Sequence, residues 1–437
     1  MRLNRLLPAA MLLAAILPPH LARAAGYSIY EQGAAVLGMA GAGTASVSDA
    51  SAMFFNPAAL TRLEGTQLYV GGSALQPVTS FAGKGANPGY GVTAEMVRQT
   101  FYPPTVYATR RLPQGWAVGL GLNAPFGLGT EWNPVSFPGR YLTTRVDLQT
   151  LNGSACVAYA PTAKWSLAAG ADMLWAKARI QSRKEAIAPG GGGGAVDVAA
   201  VSIESKFKSA PGWNAALLIT PAPQWKFGAY YRSEIIVHVD DAPVTFTQIP
   251  SGNPVFDAGV AAQLPPAQTV STVLHFPAMW SAGAAWNPRP QWTVAGEFDV
   301  HEWRAFKELP IHFNQTTAAS VTRIEDYTNA WQIRLGAEHR LSCCTYRFGY
   351  YFDKSPAPTH AVTPLLPDAD RHGVSVGLGK SLGTDKRWTV DAYELALFAK
   401  RRFGTAAASP DEPPAYQFQG DYKTFVNIVG IALSYRW

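Results

Sequence analysis

The segment Trp292-Thr293-Val294-Ala295-Gly296-Glu297-Phe298-Asp299-Val300-His301-Glu302-Trp303 alternates with a period of two. Trp292, Val294, Gly296, Phe298 and Val300 share one face, and Thr293, Glu297, Asp299 and His301 share the other. Successive side chains of a strand point to opposite sides, so the segment presents an apolar face and an ionisable one. Such a strand serves a soluble sheet or a membrane barrel, in which apolar side chains face lipid and polar ones face the lumen. Recurrence favours the barrel. Val374, Val376 and Leu378 oppose Arg371, Gly373, Ser375 and Gly377, and at the C-terminus Phe425, Val429, Ile431, Leu433, Tyr435 and Trp437 share a face interrupted only by Asn427.

A turn of one kind also recurs. Pro113-Gln114-Gly115-Trp116, Pro161-Thr162-Ala163-Lys164-Trp165, Pro223-Gln224-Trp225 and Pro288-Arg289-Pro290-Gln291-Trp292 all end in tryptophan, as does the proline-free Gly383-Thr384-Asp385-Lys386-Arg387-Trp388. Proline and glycine set turn dihedrals, and an amphipathic indole at the start of each following strand suits a membrane–water boundary. Hairpins counted on this basis predict fourteen strands, among them 66–74, 99–111, 115–124, 202–219, 344–353 and 420–437. An even count brings both chain ends to the periplasmic side. No stretch after the leader offers the roughly 20 apolar residues of a spanning helix, and a closed barrel is the other structure that satisfies its backbone within a bilayer. The expected fold is therefore all-β, a 14-stranded antiparallel transmembrane β-barrel in the outer membrane of a Gram-negative bacterium.

The ends and the charge fit export. Arg2 and Arg5 precede the apolar run Leu6–Leu17 and the small-x-small site Ala22-Arg23-Ala24, so residues 1–24 read as a signal peptide. Removing Arg2, Arg5 and Arg23 lowers the formal charge from +6 to +3, and no basic cluster alternates with aromatics, which excludes nucleic acid as a partner class. Three cysteines, Cys156, Cys343 and Cys344, make no disulfide framework; neighbours in a strand would point to opposite faces. Gly190–Gly194 lacks the lysine and helix start of a phosphate loop and reads as an external loop. No HExxH or GxSxG sequence is present, so no enzyme, metal or cofactor is expected.

Residues 25–64 differ from the rest. Gly33, Gly38, Gly41 and Gly43 are followed by Asp49 and by Met53-Phe54-Phe55-Asn56-Pro57-Ala58. This compact segment has two sensible places, in the periplasm or inside the barrel as a plug, ahead of a barrel at 65–437. Here the chain resembles a known family. Ala25-Gly26-Tyr27, Gly38-Met39-Ala40-Gly41-Ala42-Gly43, Asp49 and Asn56-Pro57-Ala58 are similar to the N-terminal hatch of outer-membrane long-chain fatty acid transporters, a family that includes toluene and xylene channels. Gly119 to Thr130 with Gly139-Arg140-Tyr141, the stretch Leu274 to Leu309, and Pro367-Asp368-Ala369-Asp370-Arg371-His372-Gly373 resemble its later parts.

The resemblance implies a hatch inside the lumen, capture of a hydrophobic molecule from outside, and sideways release through a gap at a kink in the third strand. Gly121, Pro125 and Gly127 are the expected kink, because proline cannot donate to a ladder and glycine eases a bulge. Asn56, Pro57 and Ala58 are the expected gating segment. Candidate ligand contacts are Phe54, Phe55, Phe101 and Phe126 for an apolar tail, and Arg140, Arg145, Lys177 and Arg179 for a carboxylate, which needs donors to offset desolvation. The expected partners are a hydrophobic small molecule, foremost a long-chain fatty acid, together with outer-membrane lipids, periplasmic chaperones and the barrel-assembly machinery. Alternatives are an aromatic-hydrocarbon channel, an open porin, and a surface binding or adhesion barrel without transport.

Overall fold

The closing seam joins the two ends of the barrel: Gln67 to Gly83 runs antiparallel to Gly420 to Arg436, with Gln67 opposite Arg436 and Gly83 opposite Gly420. The computed structural model describes residues 26–187, 195–315, 320–407 and 417–437. The expected signal peptide and the Gly190–Gly194 loop lie outside the described residues.

Fourteen antiparallel strands close the wall. They are β1 (Thr66–Gly83), β2 (Pro104–Arg111), β3 (Trp116–Asn123 and Gly127–Glu131), β4 (Arg145–Thr162), β5 (Trp165–Ile187), β6 (Ala195–Glu204 and Lys208–Ala222) and β7 (Trp225–Arg232 and Ile235–Gln248). The second half comprises β8 (Gln268–Phe276 and Met279–Arg289), β9 (Trp292–His301), β10 (Ala330–Arg340), β11 (Thr345–Asp353), β12 (Arg371–Leu382), β13 (Trp388–Ala399) and β14 (Phe418–Arg436). No helix among the described residues is long and apolar enough to cross a membrane.

Burial follows the expected alternation. In β9, Thr293, Glu297, Asp299 and His301 are buried against the interior while Trp292 and Val294 are exposed. The turn tryptophans form a belt and meet other rings across strands: Trp116 stacks on Tyr159 at 4.5 Å between centroids, Trp225 on Trp286 at 5.8 Å, and Trp388 packs tilted against Tyr435 at 4.5 Å. All lie beside the short turns, at the end where the two chain ends meet, which is the periplasmic side in this architecture.

Several strands differ from expectation at the opposite end. β1 has 18 residues and β5 has 23, well beyond the roughly 9–11 that cross the hydrocarbon. Above the membrane both faces of a strand meet water or loops, so the alternation fades and the expected strands end short of the observed ones. The sixth strand begins at Ala195 and not at 202, and is interrupted at residues 205–207.

Residues 26–64 fill the interior. Two single-turn helices, Ala34–Leu37 and Ala52–Phe55, and a 3-10 turn, Pro57–Arg62, are almost wholly buried there. The wall has glycine dents to receive them. A Cβ on Gly228 of β7 would collide with the Thr44 carbonyl, and one on Gly349 of β11 with the Ala40 backbone. Polar wall residues hold the segment in place. Glu297 accepts from the Tyr30 hydroxyl (2.8 Å) and the Thr44 N–H (2.6 Å). Arg334 donates to the Ala40 carbonyl (2.8 Å), and Ser375 Oγ accepts from the Ala40 N–H (2.8 Å). Ala40 sits at φ 53°, in the left-handed region, with both its backbone polar groups fixed by the wall.

Candidate functional site

The third strand breaks where proline removes a donor. Below the break Asn123 pairs with Asn152, and above it Gly127 pairs with Gln149, so Ala124, Pro125 and Phe126 stand opposite only Thr150 and Leu151. This is a bulge of one residue. Pairing between β2 and β3 stops at Val106–Leu122, and the chain ahead of β2 meets β3 again at its upper end, where Val97 N donates to Glu131 O (2.7 Å), so the edge between these points lacks its wall neighbour. The start of the hatch occupies that edge: Ile29 N donates to Pro125 O (2.8 Å), and Gly127 N donates to Tyr27 O (2.9 Å). Gln32 adds a side-chain bond to the Ala124 carbonyl at 2.8 Å. The Phe101 ring lies so close to Gly129 that a Cβ there would strike it.

A cavity of about 480 Å³ adjoins this break. Its apolar lining includes Tyr27, Ile29, Leu75, Phe101, Phe126 and Leu148. Its floor is the hatch, and Leu366 to Ala369, from the segment linking β11 to β12, also line it. That segment folds into the barrel mouth, where the Trp132 indole donates to Pro364 O (2.9 Å) and the Thr130 hydroxyl to Leu365 O (3.1 Å). The size falls in the range of about 300–1,000 Å³ typical of small-molecule sites.

Two guanidiniums reach the cavity, with different capacities. Arg334 is fully engaged: it bonds Asp299 (2.8 Å) and Ala40 O, and its guanidinium lies over Tyr30 at 3.8 Å. Arg371 spends Nε (3.1 Å) and Nη2 (2.6 Å) on one oxygen of Asp353. Its side chain is 21% exposed, and Nη1 has no acceptor among the described residues. Asp368, on the linking segment, accepts from Ser355 Oγ (2.6 Å) and the Gly26 N–H. Burial pushes its carboxyl up to about 6, against the opposing pull of Arg371 and Ser355. The arrangement combines an apolar chamber, a polar end containing one partly uncommitted cation, and a wall interruption beside it.

The profile of the family described as outer membrane protein transport protein (OMPP1/FadL/TodX) matches residues 16–437. The chain belongs to this family. Among outer membrane transport proteins it is 24% identical over 420 residues to the long-chain fatty acid transport protein of Escherichia coli O6:H1, covering 92% of each chain. It is 25% identical over 409 residues to outer membrane protein P1 of Haemophilus influenzae, covering 85% of each. The fold matches the crystal structure of a Pseudomonas aeruginosa FadL homologue with TM-score 0.81 and 19% identity, over 94% of this chain and 100% of that one. The toluene transporter TodX of P. putida gives TM-score 0.70 and 17% identity, over 95% and 99%. As a member of this family the chain is an outer-membrane β-barrel.

The residues singled out from sequence are spread over the cavity, the β3 bulge and the ladder below it, the hatch, and ion pairs of the wall and loops. Phe101 and Phe126 line the cavity, as does Gly127, while Pro125 lies in the bulge and Gly121 in the regular ladder below, opposite Tyr107 and Ser154. Phe54 and Phe55 pack inside the hatch against Tyr30, each at 5.5 Å. Asn56, Pro57 and Ala58 are fully buried near the periplasmic end. There Asn56 Nδ2 donates to Thr44 O (2.6 Å) and to Leu217 O of β6 (3.1 Å), while Oδ1 accepts from Ala58 N. None of the four cations is in the cavity lining, and each is held by a carboxylate: Arg140 by Asp197 (2.9 Å), Arg145 by Asp147 (2.7 Å), Lys177 by Glu204 (2.6 Å) and Arg179 by Glu204 (2.9 Å), with Asp147, which Arg179 also approaches at 3.6 Å, being a lining residue. Sequence reading did not single out Arg371 or Asp353 as site residues, although Arg371 stood in a stretch that carried the family resemblance.

Proposed function

We propose that this chain takes up hydrophobic molecules, long-chain fatty acids foremost, and releases them sideways through the wall at the β3 bulge. The observation that carries the reading is the placement of the apolar cavity directly beside Ala124–Phe126, above a hatch that fills the axial route. The names of the relatives, long-chain fatty acid transport protein and toluene transporter, support the substrate class. An acyl chain gains about 0.8 kcal/mol per CH₂ kept from water, so a route from an apolar chamber to the bilayer interior suits it better than an aqueous pore.

Energetics favour a local opening. The hatch makes many buried bonds to the wall, and leaving one such group unsatisfied costs about 1–3 kcal/mol. Freeing the β3 edge breaks two backbone bonds, those of Ile29 and Gly127, together with the side-chain contacts of the Tyr27 hydroxyl with His275 O (2.7 Å) and of Ser28 Oγ with His301 Nδ1 (3.3 Å). Displacement of Tyr27–Ile29 then joins cavity and wall gap while the rest of the hatch stays seated. In this reading Asn56, Pro57 and Ala58 fix the base of the hatch, and Phe101 and Phe126 contact the tail. The carboxylate end meets Arg371 and not the four cations already paired with carboxylates.

The test is uptake of labelled oleate and labelled toluene by cells lacking their native transporter and expressing this protein, alongside a variant that staples Tyr27–Ile29 to β3 by an engineered disulfide. Oleate uptake that is lost in the stapled form and restored by reduction supports the reading. Uptake unchanged by the staple refutes lateral release, and toluene uptake alone replaces the fatty acid as substrate.

A further inference from the structure

Cys343 and Cys344 lie in the periplasmic turn between β10 and β11 and not in the strand that the sequence suggested for Cys344. The turn is closed by Leu341 N donating to Cys344 O at 2.8 Å, and the ladder resumes with Arg340 opposite Thr345. Turn geometry removes the alternation that would send neighbouring side chains to opposite faces, and the two Sγ atoms are 2.9 Å apart. A covalent S–S bond is about 2.05 Å long, so closure asks for a movement of under about an ångström. Cys343 is exposed and Cys344 half-exposed. Cys156, in contrast, is buried in the lumen wall, where its Sγ contacts Asn214 at 3.5 Å.

We propose that Cys343 and Cys344 form a vicinal disulfide in the mature protein, a redox-labile site presented to the periplasm. Hydrogen bonds from Cys343 and Tyr346 pull the Cys344 thiol below its ordinary value, which makes it the first nucleophile. Its thiolate attacks a disulfide of the oxidising compartment, held by a protein or a small molecule, and one thiol leaves. Cys343 then attacks the Cys344 sulfur of the mixed disulfide and expels the second thiol. Two cysteine thiols are oxidised and one donor disulfide is reduced to two thiols, so electrons and protons balance. The periplasm maintains such donors. Adjacent Cα atoms stand about 3.8 Å apart, short of the usual 4.4–6.8 Å across a disulfide. A strained, exposed bond of this kind is easily reduced, so it acts as a reversible mark on the turn and not as a structural staple.

The experiment counts thiols. Full-length protein from outer membranes is acid-quenched, denatured and alkylated with a maleimide polymer that adds one gel step per free thiol, with and without prior reduction. The expected result is one adduct unreduced, on Cys156, and three after reduction. C156S should give none and two, a readout that leaves the turn untouched, and C343S should give two in both conditions. Three adducts on unreduced wild-type protein overturn the proposal, as does a dimer on non-reducing gels that disappears in C344S.

Discussion

Arg371 binds one oxygen of Asp353 through two nitrogens, and Nη1 is the donor that remains for a ligand carboxylate under the proposed function. A charge-assisted hydrogen bond contributes about 1.5–3 kcal/mol, roughly 10- to 100-fold in affinity. Removing Arg371 alone would strand a buried Asp353 carboxylate, itself destabilising by about 3–5 kcal/mol, so the informative variant is R371Q with D353N. That pair should weaken oleate binding to the purified protein at least about tenfold, measured by displacement of a fluorescent fatty acid, and change binding of a neutral hydrocarbon less than about twofold. Equal losses for both ligands would assign Arg371 to structure alone. The chemistry of the site was harder to read than its position. Arg140, Arg145, Lys177 and Arg179 have the right residue type, but Lys177 and Arg179 share strand parity with Met173 and Trp175, which are exposed on the outer face. Parity counted from the lipid-facing residues would have excluded those two, and also Arg145, which shares parity with the exposed Val157 and Tyr159 of β4; nothing local in the sequence tells that Arg140 is already paired.

Elements carry the next level of control. The segment between β11 and β12 is tied to the first described residue of the hatch by Asp368, whose burial raises its carboxyl to about 6 from an ordinary value of 3.8. An acid with a raised folded-state value binds its proton more tightly folded than unfolded, so the folded segment gains stability as pH falls through about 6 and the gain is complete below about 4. Hydrogen exchange of residues 354–370, corrected for intrinsic rates, should slow from pH 7 to pH 5, and D368N should remove that dependence. Protection that instead falls with pH would reverse the sign and reject this account. The strands themselves were legible, since lipid on one side and a polar interior on the other enforce a period of two. Breaks were legible only where a residue forces them: Pro125 marks the β3 bulge, whereas the interruption at 205–207 in β6, where Ser205 bonds Ala178 through backbone and side chain, carries no such signal.

At the scale of the molecule, the question is whether the hatch is a plug whose seat is built into the wall. Gly228 and Gly349 lie on different strands, yet each leaves room for hatch backbone that a Cβ would invade. Both are in regular ladders, Gly349 opposite Gly336 and Ser375, so a larger residue there leaves strand pairing possible and pushes chiefly on the hatch. G349V should still migrate as a folded barrel on unheated gels, because closure rests on the β1–β14 seam and not on this contact. In planar bilayers the unaltered protein should conduct salt weakly, a variant lacking residues 26–64 should conduct steadily as a water-filled barrel, and G349V should lie between them, flickering as the displaced hatch leaks. Oleate uptake should fall several-fold in G349V even as conductance rises, since Met39 and Ala40, forced from the wall, carry with them the hatch that floors the ligand cavity. If G349V raised oleate uptake in proportion to conductance, the substrate would be crossing the lumen axially, and lateral release would have to be abandoned. Opposite movement of the two quantities separates a plug that guides ligand into the wall from one that merely blocks a pore.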